Sequence, residues 1–536
     1  MPSVRSADLC WGQHHHVLRY LGAPPESRHE AHIATSYPLP DGCTTAHVRA
    51  ALTHLVRRHE VLRTVYDLHA TPWPRQLVRP PGPPPVVEVA TTDDPAAEVR
   101  RLTETPFALA DEWPLRACLI TEGGRLRRLH LVFNHLAFDD VSLDRLGAEL
   151  DALLAARVAG RPVALPPVAD QPVDLAAHEA TNSPDAALAH WREQIRALPD
   201  DIHAARRDPT DATAHSASFT VPRLLAASRA VAARHGVWPS AVHVAAYAVT
   251  LAATTGRRRV ASRLYTGQRE ASALPSVLTC MSHPLLCAID LADDPPFGEV
   301  VRRAARRVRE AMEHGHVPFD RVDELVGAES AARGRSVRVA TELNFLDNAP
   351  RSCRTRRERW VWNAAPTHWA CAGSDLYLRV YEWSDGVTLA LQARGEVLDR
   401  AGTERMLRGH AALLTAHRDP AVDLRVGEAI RLLGLGPDTA PPAPGPDVAS
   451  PVPAPASPAC DALVGAVAEV NGLARVSPND SYVAAGGRLL RLPRVVAELA
   501  ALGWVGTERR LAGARPLHEV ADTLRPCPPS NSGRPR

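Results

Sequence analysis

The residues with the clearest chemical potential lie in the run Asn134, His135, Leu136, Ala137, Phe138, Asp139, Asp140. A histidine followed four residues later by an acid can hold an imidazole that takes or positions a proton near neutral pH. With 24 histidines in the chain, the same spacing also describes an ordinary, hydrogen-bonded core histidine. Other pairings fail on chemical grounds. His59 and Glu60 begin a zinc-type HExxH pattern, but Arg63 stands where the second histidine is needed. His14, His15 and His16 are consecutive, and consecutive helix positions point about 100° apart. They are expected as a solvated helix start, and no metal site is assigned. The chain has no lysine, so all 62 basic residues are arginine. That excludes a P-loop, a kinase lysine and a lysine Schiff base. No glycine-rich dinucleotide fingerprint is present.

The elements around the run must position it. Leu126 to Phe133 is short and apolar, and reads as a buried strand; Leu143, Leu146, Leu150, Leu153 and Leu154 then recur at helical spacing, with Ser142 placed to cap the first turn. Asn134 to Val141 is therefore a strand-to-helix loop. Upstream, Val48, Ala51, Leu52, Leu55, Val56 and Leu62 predict a helix across Thr45 to Tyr66. Helical and strand-like segments alternate, which predicts an α/β architecture.

At 536 residues the chain is long enough for several domains. The Pro/Ala-rich stretch 436–458 reads as a linker, 161–171 as a crossover between residues 1–170 and 171–435, and 526–536 as a disordered tail. Residues 459–525 form the remaining unit. A net charge of +2 offers no basic surplus for nucleic acid. Nine cysteines without a CxxC pair argue against a disulfide framework or structural zinc, and place the chain in a reducing cytoplasm. The apolar run Ala241 to Ala253 contains His243 and is too short to span a membrane, and Met1 to Trp11 carries no export-signal pattern.

Several motifs occur in a family's order. Arg58 to Thr64, RHEVLRT, resembles the RHExLRT element of condensation domains from non-ribosomal peptide synthetases, and the His135 loop resembles their HHxxxDG motif. Trp11-Gly12-Gln13, Pro106-Phe107, Pro114 to Ala117 and His190-Trp191, placed at a helix start, continue the match. Gly267 with Arg269, His316 to Asp320, Asn344-Phe345 and Asp375-Leu376 complete it, over about residues 8–416. The resemblance implies two chloramphenicol-acetyltransferase-like lobes in a V-shaped pseudodimer enclosing a tunnel. It implies that His135 positions or deprotonates the acceptor, that Asp139 shapes the loop, and that Arg63 pairs with Asp139. It also implies acyl donors carried on phosphopantetheine, with no cofactor bound covalently here. The arginine-dense runs 302–309 and 351–359 read as solvated faces, one of which could steer a phosphate.

Two positions depart from the motif. Asn134 replaces its first histidine; an amide offers both a donor and an acceptor and is expected to substitute. Asp140 replaces its glycine. A carboxylate about 5 Å from a developing oxyanion would cost about 3 kcal/mol at an effective dielectric near 20, whereas one facing solvent would cost little. An acid at the same position occurs in the condensation-like X domains that recruit oxygenases. A third departure, Met281 to Pro284, precedes a strand expected over Leu285 to Leu291.

Asp461 to Leu473, Val476 to Asp480 and Gly486-Gly487 resemble a peptidyl carrier protein, a small helical bundle. Leu489 stands where that family's serine accepts phosphopantetheine, so no phosphodiester can form there. Carrier proteins for donor and acceptor are therefore expected in trans, or a free small-molecule acceptor, with neither nucleic acid nor membrane as partner. The expected activity is a condensation-type acyltransferase making an amide or ester in natural-product biosynthesis. The alternatives are a catalytically silent scaffold that recruits a carrier or tailoring enzyme, and an acyltransferase using coenzyme A thioesters.

Overall fold

The computed structural model describes residues 5–90, 95–123, 125–204, 206, 214–347, 356–364, 373–432, 434 and 457–527. Most of the linker stretch, nearly all of the C-terminal segment and Arg351 to Thr355 lie outside them. The chain is α/β, as its alternating periodicities predict.

In the first half, a four-stranded sheet runs in the order Ile33–Pro38, Arg125–Phe133, Leu115–Glu122, Val86–Ala90. The central Arg125–Phe133 strand is antiparallel to both neighbours, and its last residues, Leu131, Val132 and Phe133, are fully buried. Helices Thr45–Arg58 and Asp140–Val158 pack against each other and share an apolar core with this sheet. In the second half, a seven-stranded sheet places Leu376–Trp383 between Thr341–Leu346 and Gly386–Arg394. Its core is a separate apolar cluster built around the Pro239–Thr255 helix. A third cluster belongs to the C-terminal helices, beginning with Pro458–Asn471 and including Leu492–Ala501.

Four local expectations are corrected. The helix expected to reach Tyr66 ends at Arg58, because His59 turns extended; a tight turn over Glu60–Arg63 then feeds strand Thr64–Asp67. Ser142 does not cap the Asp140–Val158 helix. Asp139 does, accepting from the Ser142 N–H at 2.8 Å, since its carboxylate falls one position before the first turn. His190-Trp191 lies inside the Asp185–Arg196 helix rather than opening it, and the Trp191 indole donates to the His314 carbonyl. The strand after Met281 begins at His283 and ends at Asp290.

The Trp11–Gly22 helix joins the two halves. It touches the Phe319–Arg333 helix and the His283–Asp290 strand of the second half while contributing Val17 and Leu21 to the first core. Gly12 permits this approach: a Cβ there would lie 2.5 Å from the Met281 Cα and 2.7 Å from the Cys280 carbonyl oxygen. The arginines of 302–309 lie along the Phe297–Glu313 helix, where Arg302, Arg306, Arg307 and Arg309 face outward. Among the described residues no single helix is long and apolar enough to cross a membrane.

Candidate functional site

His135 sits two residues beyond the buried end of its strand, and the loop that holds it is built by its own short side chains. Asn134 is buried and its Oδ1 accepts from the Leu136 N–H at 2.8 Å, while its carbonyl accepts from the Ala137 N–H at 3.0 Å. The amide that replaces the motif's first histidine thus forms a turn with its own side-chain acceptor. Asp139 is buried, caps the following helix and accepts from the Met281 N–H at 3.0 Å.

The cation that meets Asp139 is Arg269, not Arg63. One guanidinium nitrogen of Arg269 lies 2.8 and 3.0 Å from the two carboxylate oxygens and also reaches the Ser142 hydroxyl and the Thr279 carbonyl. Its other terminal nitrogen donates to the carbonyls of Pro275 and Val277. Arg63 is turned away by the tight turn that contains it: it donates to the carbonyls of Val56 and Arg79 and lies 3.6 Å from Glu60. Asp139 and Arg269 therefore clamp the His135 loop to the segment leading into strand His283–Asp290, and that segment inserts Leu278 into the first core.

His135 itself is half-buried. Its Nδ1 lies 3.8 Å from the Cys280 Sγ, and its ring stacks on His16 with centroids 4.2 Å apart and planes inclined by 26°. Burial lowers the His135 pKa below the ordinary imidazole value; Asp140 and then Asp139 oppose that shift, and Arg19 adds to it. The imidazole is accordingly neutral at pH 7, the form able to accept a proton. Asp140 is exposed. It occupies the first helical position, where the helix dipole favours an acid, so this carboxylate has solvent to face.

The three adjacent histidines are not a solvated helix start. His15 and His16 are buried and His14 is half-buried: the stripe Gln13, His16, Val17, Leu21 faces inward, and Tyr265 and Phe319 cover His15 on another side. Each makes a different contact: His14 Nδ1 lies 2.7 Å from Asp320, His15 Nε2 3.2 Å from the Tyr265 hydroxyl, and His16 Nε2 3.0 Å from the Ser282 carbonyl. They diverge as their angular spacing requires, and only His16 reaches His135. Nearby, burial pushes the Glu179 carboxyl up to about 7, opposed by the Trp11 N–H that it accepts at 2.8 Å and by His14.

Leu489 is buried at the start of a short turn leading into the Leu492–Ala501 helix. Its N–H donates to Glu324 of the Phe319–Arg333 helix at 3.0 Å, and Arg488 Nε meets both oxygens of that carboxylate at 2.9 Å. Arg488 also lies 3.6 Å from Asp320, the partner of His14. Arg488 and Arg491 both stand over the Trp73 ring, at 4.8 and 4.1 Å, and Leu490 joins the first core. The C-terminal helices are thus held by both halves of the protein.

Sequence reasoning missed His16, Cys280 and Arg269's role. His16 carried a signal, lying on the same helical stripe as Val17. Cys280 carried none, because its segment reaches the loop through tertiary contacts of Asp139, Ser142 and Arg269.

A family model described as the condensation domain matches residues 28–419. The chain is 31% identical over 331 residues to phosphinothricin tripeptide synthetase PhsC of Streptomyces viridochromogenes, covering 58% of this chain and 30% of that protein. It is 28% identical over 420 residues to the probable non-canonical nonribosomal peptide synthetase CymA of Salinispora arenicola, covering 73% of this chain and 5% of that one. The chain thus spans less than a third of the length of either relative. Among solved structures, the X-domain from teicoplanin biosynthesis aligns over 80% of this chain and 98% of its own, at 21% identity and a TM-score of 0.63. A condensation domain mediating chain release from the enacyloxin polyketide synthase aligns over 78% of this chain and 83% of its own, at 20% identity and a TM-score of 0.60. Their fold is the chloramphenicol-acetyltransferase-like one expected above.

Proposed function

Because this chain belongs to the condensation-domain family, we propose that it is an acyltransferase joining a carrier-bound acyl or peptidyl thioester to an amine, or to a hydroxyl, in natural-product biosynthesis. The observation that carries this reading is a neutral, half-buried His135 on a loop clamped by Asp139 and Arg269. The His135 imidazole positions the acceptor and takes its proton as the nitrogen attacks the thioester carbonyl; the phosphopantetheine thiolate leaves and is protonated. Holding two tethered reactants in place contributes about 7–11 kcal/mol, and the base about 10²–10⁴-fold. Asp140 acts on His135 electrostatically, but it is exposed, and solvent screening weakens its repulsion of a developing oxyanion.

Donor and acceptor carriers act in trans, with phosphopantetheine supplied by those partners. The carrier-like ancestry of residues 459–525 is supported by their helical core, and the lobe boundaries near residues 170 and 435 by the separate apolar clusters. Free thiols at all seven described cysteines support a cytoplasmic setting. A second reading, a silent scaffold that recruits a carrier or tailoring enzyme, is supported by the likeness to the X-domain, which has also been solved in complex with OxyB.

The test is condensation by the purified chain with a carrier-bound acyl donor and an amine acceptor. His135→Ala should lower the rate by about 10²–10⁴-fold with unchanged melting; a loss below about tenfold would overturn the role given to His135, and no product from the wild-type chain would favour the scaffold. Since burial lowers the pKa of the base, the wild-type rate should be flat across neutrality and fall only below the ordinary imidazole value of 6.5 as His135 becomes protonated. An acid limb above that value would contradict the assignment. Coenzyme A thioesters in place of the carrier-bound donor separate the reading as a coenzyme A-dependent acyltransferase.

A further inference from the structure

His16, His135 and Cys280 each present one ligand atom, and the three atoms lie within 4.8 Å of one another. Tetrahedral coordination with bonds of about 2.0–2.1 Å to nitrogen and about 2.3 Å to sulfur sets nitrogen and sulfur about 3.6 Å apart; the His135 Nδ1 and Cys280 Sγ are already at 3.8 Å. His16 is buried, and with Nε2 donating to the Ser282 carbonyl its Nδ1 keeps a lone pair that meets no hydrogen-bond partner. Burial holds both imidazoles neutral, so each has a lone pair to give. Such nitrogen and sulfur donors suit zinc, cobalt or copper rather than magnesium or calcium.

We propose that His16, His135 and Cys280 form a binding site for a zinc-class divalent cation, with its fourth position open on the side of half-buried His135. Binding displaces the Cys280 proton to solvent and leaves a thiolate–metal bond, so affinity rises with pH. Asp139 and Asp140 favour the cation; Arg19, Arg269 and neutral His283 surround the same groups, the two arginines opposing it. A neutral imidazole has a single lone pair, and an ion that takes it leaves His135 unable to accept a proton. The metal is thus an inhibitor of the activity proposed above. That consequence rests on the acyltransferase reading, whereas the site itself does not.

The experiment is a Co²⁺ titration of the full chain after chelation, followed by absorption. One cobalt per chain with a thiolate-to-cobalt charge-transfer band is expected. Cys280→Ser should abolish the band and weaken binding by at least about 100-fold, since even outer partners of metal ligands are worth about 10–100-fold. Should the serine variant not fold, His135→Ala, at the least buried ligand, keeps the thiolate and is read by affinity instead, with at least about tenfold weaker cobalt binding expected. Absence of the band from the wild type, its survival in folded Cys280→Ser, or unchanged cobalt affinity in folded His135→Ala would overturn the site. Because this readout needs no substrate, failure of the site is distinguishable from failure of the acyltransferase reading.

Discussion

Two junctions leading into helices match positions that react in the families they resemble, and they have been treated in opposite ways. At the Asp140–Val158 helix, an acid of the same loop caps the first turn and the adjacent histidine keeps a half-exposed ring. At Leu489 the cap comes from another part of the protein, the Glu324 carboxylate, and the side chain is buried. The first junction is clamped around a group that solvent can still reach. The second is anchored by the position that would have reacted. An acid close to a helix start therefore marks no reactive site by itself; access for a substrate separates the two.

The comparison can be broken at either end. The largest effect is expected at Arg269→Ala, which strands buried Asp139: loss of one partner of a buried pair typically costs about 3–5 kcal/mol, read as a lower melting temperature. The matching Arg63→Ala should leave the His135 loop intact, and the reverse ranking would restore the discarded pairing. A smaller effect follows Glu324→Ala, which uncaps the Leu489 N–H and frees Arg488; about 1–3 kcal/mol is expected, with faster amide exchange confined to residues 489–501. Exchange that is unchanged there would mean the C-terminal helices are held by their other contacts, among them Leu490, Trp73 and the Arg28–Glu508 pair. The smallest is expected of Leu489→Ser. Although the hydroxyl is restored, the position remains buried, so incubation with a phosphopantetheinyl transferase should leave the intact mass unchanged, and a gain in mass would show that the second junction opens.

The sequence made local features legible and distant ones obscure. The Arg125–Phe133 strand, the loop after it and the family resemblance follow from short-range pattern, and the structure places His135 and Asp139 accordingly. Arg63 misled because motif order says nothing about direction: a four-residue tight turn aims its side chain at backbone carbonyls instead. His14 to His16 misled because polar residue type was weighed over the helical stripe that His16 shares with Val17 and Leu21, and because the helix is covered on more than one side. Cys280 is 145 residues from His135 in the chain, a separation that no periodicity spans.

The bare backbone at position 12 sets the spacing of the whole imidazole cluster. With the helix resting directly on the Cys280 carbonyl and the Met281 Cα, even one added methyl acts as a shim. Gly12→Ala would lift His16 away from Cys280 and His135 together, widening the gap between the two halves without touching any of the three polar side chains.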